Sequence, residues 1–200
     1  MEAFPDIAIF IEKPVSTGPV DEAMAVAKRL QKADNIVSVG YMLRYLKVVQ
    51  KMKQILEENN LKVMATNARY VMAYEHTNKE DWWNKSLSCG PVVEQATHFC
   101  DLSRYFGGEV DLDTVFAHSL EHFEPAGNLS KIPIDENKIP PKDRIPRVTC
   151  ATWKYQSGAV GSLTHAVALQ GFNYATEIDV LADGFHLRLV DRGYSGHEDD

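Results

Sequence analysis

The stretch "IAIFIEKPVSTG", residues 7–18, decides the fold. Five apolar residues in a row, Ile7 to Ile11, show no polar alternation and so describe a strand buried on both faces, expected over residues 6–11. The run stops abruptly at Glu12, Lys13 and Pro14. Ser16 or Thr17 can cap a following helix, Pro19 suits its first turn, and Asp21 and Glu22 complement its positive end. Val20, Met24, Ala27 and Leu30 then line one face as far as about Lys32. "NIVSVGY" (35–41) is a second buried strand. Strand, helix and strand at this spacing make one βαβ unit of a parallel sheet. One such unit cannot cover its own sheet, so the beginning of the chain reads as the tail end of a larger α/β domain, residues 1–45.

From residue 46 the pattern changes. Residues 46–59 form an amphipathic helix (Val48, Val49, Met52, Ile55, Leu56), and 62–74 a β-branched, alternating strand. "GPVVEQATHFCDLSRYFGG" (90–108) carries apolar residues at helical spacing, with Gly107 and Gly108 as its stop signal. Strands follow at about 113–121, at 147–156 and 159–169 joined by "QSG", and at 175–182 and 185–191 joined by "ADG". A proline-rich loop between 124 and 146 is long enough for an insertion or a lid. Residues 46–200 are therefore expected to form an α+β domain with a large sheet.

Composition narrows the function classes. The 200 residues are 44% hydrophobic and carry a net charge of -7, with no block of like charges and no basic stripe. That excludes nucleic acid and anionic membrane as partners. The apolar runs are of strand length, and the N-terminus lacks a basic-then-apolar leader pattern. Cys89, Cys100 and Cys150 are odd in number and unrelated in spacing, which points to reduced thiols and a cytoplasmic protein.

Three features could carry chemistry. Ligands of open parallel sheets bind at the carboxyl ends of the strands, where Glu12-Lys13-Pro14 lies. Lys13 is then either placed for function or a solvated residue after a strand, and Pro14 admits a cis Lys13–Pro14 bond. Glu94 and His98, four apart on a helix, share a face; a carboxylate beside an imidazole suits a general base, and equally describes an ordinary i, i+4 pair. Gln95 and Thr97 fall on other faces and read as structural. Trp82 and Trp83 in "EDWWNK" offer a flat face to a sugar-like ring, or serve as packing anchors. A metal site is rejected: His98 and Cys100 point about 200° apart on a helix, and His118 and His122 lie in a segment read as strand. Neither GxGxxG nor GxxxxGK occurs.

With "EKP", "VGYMLRY" and "GPVVEQATHFCDLSRYFGG" in this order, the chain resembles the glucose–fructose oxidoreductase/inositol dehydrogenase (Gfo/Idh/MocA) family of NAD(P)-dependent oxidoreductases, from about residue 6 to 191. The resemblance implies the tail of a Rossmann domain followed by an α+β domain whose large, mostly antiparallel sheet builds homo-oligomers. It implies NAD or NADP as cofactor, with Glu12, Lys13, Pro14 and Arg44 near it. The substrate would be a sugar, a polyol or a related small molecule, met by Lys13, Trp82, Trp83, Glu94 and His98. Lys13 matches the lysine that contacts substrate and nicotinamide ribose, and His98 the catalytic histidine. Glu94 stands where the pattern usually has aspartate, and "SCGP" (88–91) replaces a glycine-rich stretch.

The family's dinucleotide fingerprint belongs well before "EKP", and the pattern is curtailed after Arg192. The expectation is an excerpt of a longer enzyme or a truncated product. Its activity would be oxidation of a secondary alcohol, or the reverse reduction. The alternative is a non-catalytic binding or oligomerisation protein built on the substrate domain.

Overall fold

A computed structural model describes residues 7–16, 18, 20–32 and 35–191. The expected cap at Thr17, the proline at position 19 and the boundary at Arg192 lie outside the described residues. The chain divides into two compact units, Met1–Met42 and Leu43–Asp200.

In the first unit, β1 (Ile9–Ile11) and β2 (Val37–Val39) pair in parallel, with α1 (Val20–Gln31) between them in sequence. Asp21 and Glu22 occupy the helix's first turn and Lys28 and Arg29 its last, each opposite in sign to the helix end it faces. No residue of α1 is buried, and Phe10, Val20 and Ile36 are exposed. A lone βαβ unit leaves just this apolar surface uncovered.

The second unit is built on six strands in the order β4-β5-β6-β3-β7-β8. They are β3 (Val63–Ala73), β4 (Val110–Leu120), β5 (Val148–Tyr155), β6 (Val160–Leu169), β7 (Ala175–Ala182) and β8 (Phe185–Asp191). Only β3 and β6 run parallel; every other pair is antiparallel. The "QSG" and "ADG" junctions are tight turns, with Gly158 at φ 88° and Gly184 at φ 74°, where a side chain is disfavoured. Strand β4 begins at Val110, earlier than the sequence pattern indicates: Asp111, Leu112 and Asp113 are all exposed, so the alternation that marks a half-buried strand is absent there.

Two helices cover one face of this sheet. α2 (Lys47–Glu58) contributes Val49, Met52 and Leu56, and α4 (Thr97–Gly107) contributes Phe99, Leu102 and Phe106. They close over Ala68, Leu163, Ile178, Val180 and Leu189, the last four each gaining roughly 1.5–3 kcal/mol from full burial. Tyr155 locks the end of α4 to the sheet: its hydroxyl donates to Ser103 O at 3.1 Å and lies 2.5 Å from Thr66 Oγ1. A second cluster holds Met72, Tyr74, Trp82, Trp83, Ile139, Ile145 and Val167. The proline-rich segment is thus pinned to the domain by Ile139 and Ile145, through short 3-10 turns such as Glu136–Lys138 and Pro141–Asp143.

Candidate active site

In the first unit the carboxyl ends of the two strands are joined by backbone. Gly40 N donates to Ile11 O at 2.8 Å, and Glu12, Lys13 and Pro14 follow at once, the Lys13–Pro14 bond being cis. A Cβ on Gly40 would meet Glu12 Oε2 at 2.8 Å and the Phe10 ring at 3.2 Å. Glycine therefore lets the Glu12 side chain lie against the end of β2. Glu12 is exposed, while Lys13 and Pro14 are partly buried.

In the second unit the decisive element is the approach to α4. After α3 (Lys85–Ser88) the chain turns through two left-handed residues, Cys89 at φ 57° and Gly90 at φ 81°. Pro91 follows, and then a π-helical turn, Val92–Ala96, before regular α-helix resumes at Thr97. A π turn widens the helix locally and re-aims its side chains, a feature found frequently at functional sites. The turn carries Glu94 and Gln95; His98 comes immediately after it. Glu94 and His98 are both partly buried, and His98 Nδ1 is enclosed.

Two polar anchors bracket His98. Upstream, Gln95 Oε1 accepts from His165 Nε2 at 3.1 Å. His165 stands on β6, 1% exposed, and stacks on Tyr70 with ring centroids 5.6 Å apart. Burial pushes its pKa down to about 4, so near neutral pH the ring is uncharged and suited to donating one hydrogen bond. Downstream, Asp101 accepts from Arg44 Nε at 2.6 Å and Nη2 at 2.5 Å. The Arg44 guanidinium lies 5.1 Å from the centroid of the Tyr105 ring. This bidentate pair ties the 3-10 turn Met42–Tyr45, which leads into α2, to the middle of α4.

The residues singled out in the sequence therefore fall in different places. Glu12, Lys13 and Pro14 belong to the first unit; Arg44, Glu94 and His98 belong to the second. Arg44 spends two of its donors on Asp101. Trp82 and Trp83 are buried at 9% and 0% exposure, edge to face with one another, and Trp83 Nε1 donates to Thr77 O at 2.8 Å. Packing is the role their surroundings give them, and neither ring is presented as an open platform. Asp101 and His165 were not singled out by the sequence, although Asp101 lies three residues after His98 on the same helical face. Cys100 is partly buried and its thiol pushed up to about 11, mainly by desolvation, which makes it inert. Among the described residues no group of three or more His, Cys, Asp or Glu side chains could hold a metal, and no helix is long and apolar enough to cross a membrane.

Comparison with known proteins gives the family and the fold. Residues 44–185 match the family model described as "Putative oxidoreductase C terminal domain". Among curated proteins, the chain is 56% identical over 191 residues to Uncharacterized protein UNK4.17 of Schizosaccharomyces pombe, covering 96% of this chain and 47% of that protein. It is 52% identical over 191 residues to Uncharacterized protein C12C2.04 of the same organism, covering 96% of this chain and 50% of that protein. The chain thus spans about half the length of the curated relatives it matches. Among solved structures, myo-inositol 2-dehydrogenase from Lactobacillus plantarum superposes with a TM-score of 0.69 at 17% identity, covering 92% of this chain and 50% of that one. Scyllo-inositol dehydrogenase from Lactobacillus casei with bound NAD(H) and scyllo-inositol gives 0.67 at 19% identity, covering 91% and 50%. The WlbA dehydrogenase from Bordetella pertussis, in complex with NADH and UDP-GlcNAcA, gives 0.68 at 18% identity, covering 92% and 53%. The fold is that of the C-terminal half of the Gfo/Idh/MocA dehydrogenases, and the chain belongs to the oxidoreductase C-terminal domain family.

Proposed function

We propose that this chain is the substrate-side half of an NAD(P)-dependent oxidoreductase acting on a secondary alcohol of a sugar, polyol or related small molecule. The observation that carries the reading is the fixing of His98: a half-buried imidazole next to a π turn, with its helix anchored on either side through Gln95 to His165 and through Asp101 to Arg44. A general base must be held within hydrogen-bond reach of the proton it takes, and rigid elements do this better than loops. In this reading His98 accepts the substrate hydroxyl proton and Glu94 orients the ring. Lys13, assigned by resemblance, stabilises the developing alkoxide. The nicotinamide, when bound, supplies the hydride acceptor.

By resemblance, Glu12, Lys13 and Pro14 would meet the nicotinamide end of such a cofactor. A pyrophosphate needs backbone N–H groups at a helix N-terminus within a glycine-rich turn. The first turn of α1 instead presents Asp21 and Glu22, which repel an anion, and no GxGxxG is present.

The test is kinetic, in a protein of its relatives' full length that carries this chain. With a panel of sugars and polyols, His98→Gln should lower turnover by ~10²–10⁴ while NAD(H) affinity stays within a few-fold of the parent. Turnover close to the parent's would overturn the assignment of His98. Absence of turnover in the parent itself would favour a binding or oligomerisation role.

A further inference from the structure

The sheet face that α4 covers carries a row of polar residues, flanked by apolar ones. His165 is its centre, 1% exposed, with Thr149 directly opposite it on β5 and Tyr70 on β3. Ser119 lies beyond Thr149, its Oγ 3.3 Å from Thr149 Oγ1, and Thr176 lies beyond Tyr70. On one side the next row is Ala151, Leu163, Ala68 and Ile178; on the other it includes Val167 and Met72. Gln95 precedes Phe99, Leu102 and Phe106 at the spacing of the helix's buried face, so a polar side chain occupies a core-facing position there. It meets the polar row at its centre, where Gln95 Oε1 accepts from His165 Nε2 at 3.1 Å.

A second contact fixes the far end of the same helix. Ser103 O accepts from the Tyr155 hydroxyl, which lies 2.5 Å from Thr66 Oγ1. Thr66 and Tyr70 are four residues apart on a strand, roughly 13 Å, and Gln95 and Ser103 eight residues apart along the helix, roughly 12 Å. The two spans match, so α4 runs along β3 with a polar contact near each end. A slide of one helical turn, about 5.4 Å, would carry Gln95 most of the way to an apolar row and leave its amide and the His165 ring unpaired. Buried polar groups without partners are disfavoured, whereas two apolar side chains at these positions would tolerate the slide. The pair therefore selects one position of the helix, and an apolar pair of the same shape would hold the layers together equally well.

We infer that Gln95 and His165 are positioning residues: their hydrogen bond sets where the π turn and the start of α4 sit along the sheet, and with that where Glu94 and His98 meet a substrate. Gln95 belongs to the turn itself, next to Glu94 and three residues before His98. Neither Gln95 nor His165 touches a reacting atom in this role. The catalytic consequence rests on the role of His98 proposed above; the placement of the turn does not.

The test compares the parent with Gln95→Leu/His165→Phe, His165→Gln and His98→Gln, in a protein of the relatives' full length. The double substitution replaces the polar pair by apolar side chains of similar size, and His165→Gln keeps an N–H donor. Amide hydrogen exchange without substrate reads the placement. In the double variant residues 94–98 should exchange at least about tenfold faster, with residues 102–106 within about threefold of the parent and urea stability not reduced. Its turnover should fall by about 10–100-fold at a KM within a few-fold of the parent's, while His165→Gln keeps most of the activity. Unchanged exchange at residues 94–98 would overturn the inference whatever the kinetics show. Uniform acceleration across residues 94–106 would reduce the pair to a structural role, and parental turnover in a protein that His98→Gln inactivates would remove the catalytic consequence; each overturns it as well. Should His98→Gln leave turnover intact, the reading of His98 fails instead, and the exchange data alone decide the placement.

Discussion

Arg44 and Asp101, 57 residues apart, meet through two parallel hydrogen bonds in which nearly all of the exposure belongs to the arginine: their side chains are 37% and 3% exposed. Asp101 is a buried residue of α4 and lies about one turn beyond His98. The carboxylate is tolerable there because the guanidinium meets both of its oxygens. The pair therefore ties α4, one turn from His98, to the segment that leads into α2, alongside the buried apolar face of Phe99, Leu102 and Phe106.

Unequal burial makes the two halves of the pair unequal in stability. Arg44→Met leaves an uncompensated buried carboxylate and should cost about 3 kcal/mol. Asp101→Asn keeps the shape and one acceptor, and leaves an arginine that can reach water, so about 1 kcal/mol is expected. Urea denaturation of both variants checks the order; an Asp101→Asn more destabilised than Arg44→Met would show that Asp101 is not the dependent partner.

Acid should loosen the fold through His165. Its pKa is pushed from 6.5 to about 4 by burial, so between those values the unfolded chain binds a proton that the folded chain refuses. Stability from this group is complete above pH 6.5 and falls as the pH drops towards 4, by about 3 kcal/mol at most. Carboxylates also titrate in this range, so the comparison is with His165→Gln, measured by denaturation at pH 7 and pH 4.5. The variant should lose less stability between the two; identical losses would remove His165 as the cause.

The strands and helices were largely legible because local pattern and tertiary context agree. Continuous apolar runs, period-two alternation and the glycines at 158 and 184 mark elements that the structure places within a few residues of their expected limits. The Glu94–His98 spacing and the "EKP" tripeptide were visible as motifs, and their roles belong to the proposal. The π turn was not, since an i→i+5 turn has no periodic signature in five residues. Nor were the partners that fix the helix: Gln95 with His165 and Arg44 with Asp101 are joined across 70 and 57 positions, and only folding pairs them. The two tryptophans show the opposite limit. Aromatic residues beside a loop suit both a sugar platform and a packing anchor, and their burial was not readable from "EDWWNK".

The sheet face away from α2 and α4 should mediate self-association. The family resemblance implies that this sheet builds homo-oligomers. The structure gives a mixture: Phe116, Val160 and Val190 are exposed at 61%, 48% and 45%, beside the ion pairs Arg69–Glu177 and Arg188–Asp179. Sedimentation should find at least a dimer at micromolar concentration, weakened by Phe116→Lys and by salt. A parent monomer under these conditions would refute the expectation.

The last residue of α4 is glycine for a reason that helix propensity alone would misjudge. Alanine is the better helix former by about 1 kcal/mol. Yet a Cβ on Gly107 would lie 2.4–2.8 Å from three ring carbons of Tyr155, far inside van der Waals contact. Tyr155 cannot step aside: it is 2% exposed, and its hydroxyl is held at 3.1 Å by Ser103 O and 2.5 Å from Thr66 Oγ1. Overpacking of this kind costs about 1–3 kcal/mol, and displacement of the ring would also break a buried hydrogen bond. Gly107→Ala should therefore destabilise the protein by about 2 kcal/mol in urea denaturation. Tyr155→Leu removes the ring, so in that background Gly107→Ala should become nearly neutral, a coupling that a double-mutant cycle reads directly. A stabilised Gly107→Ala, or strict additivity of the two substitutions, would show that the contact between helix end and ring is not what reserves this position for glycine.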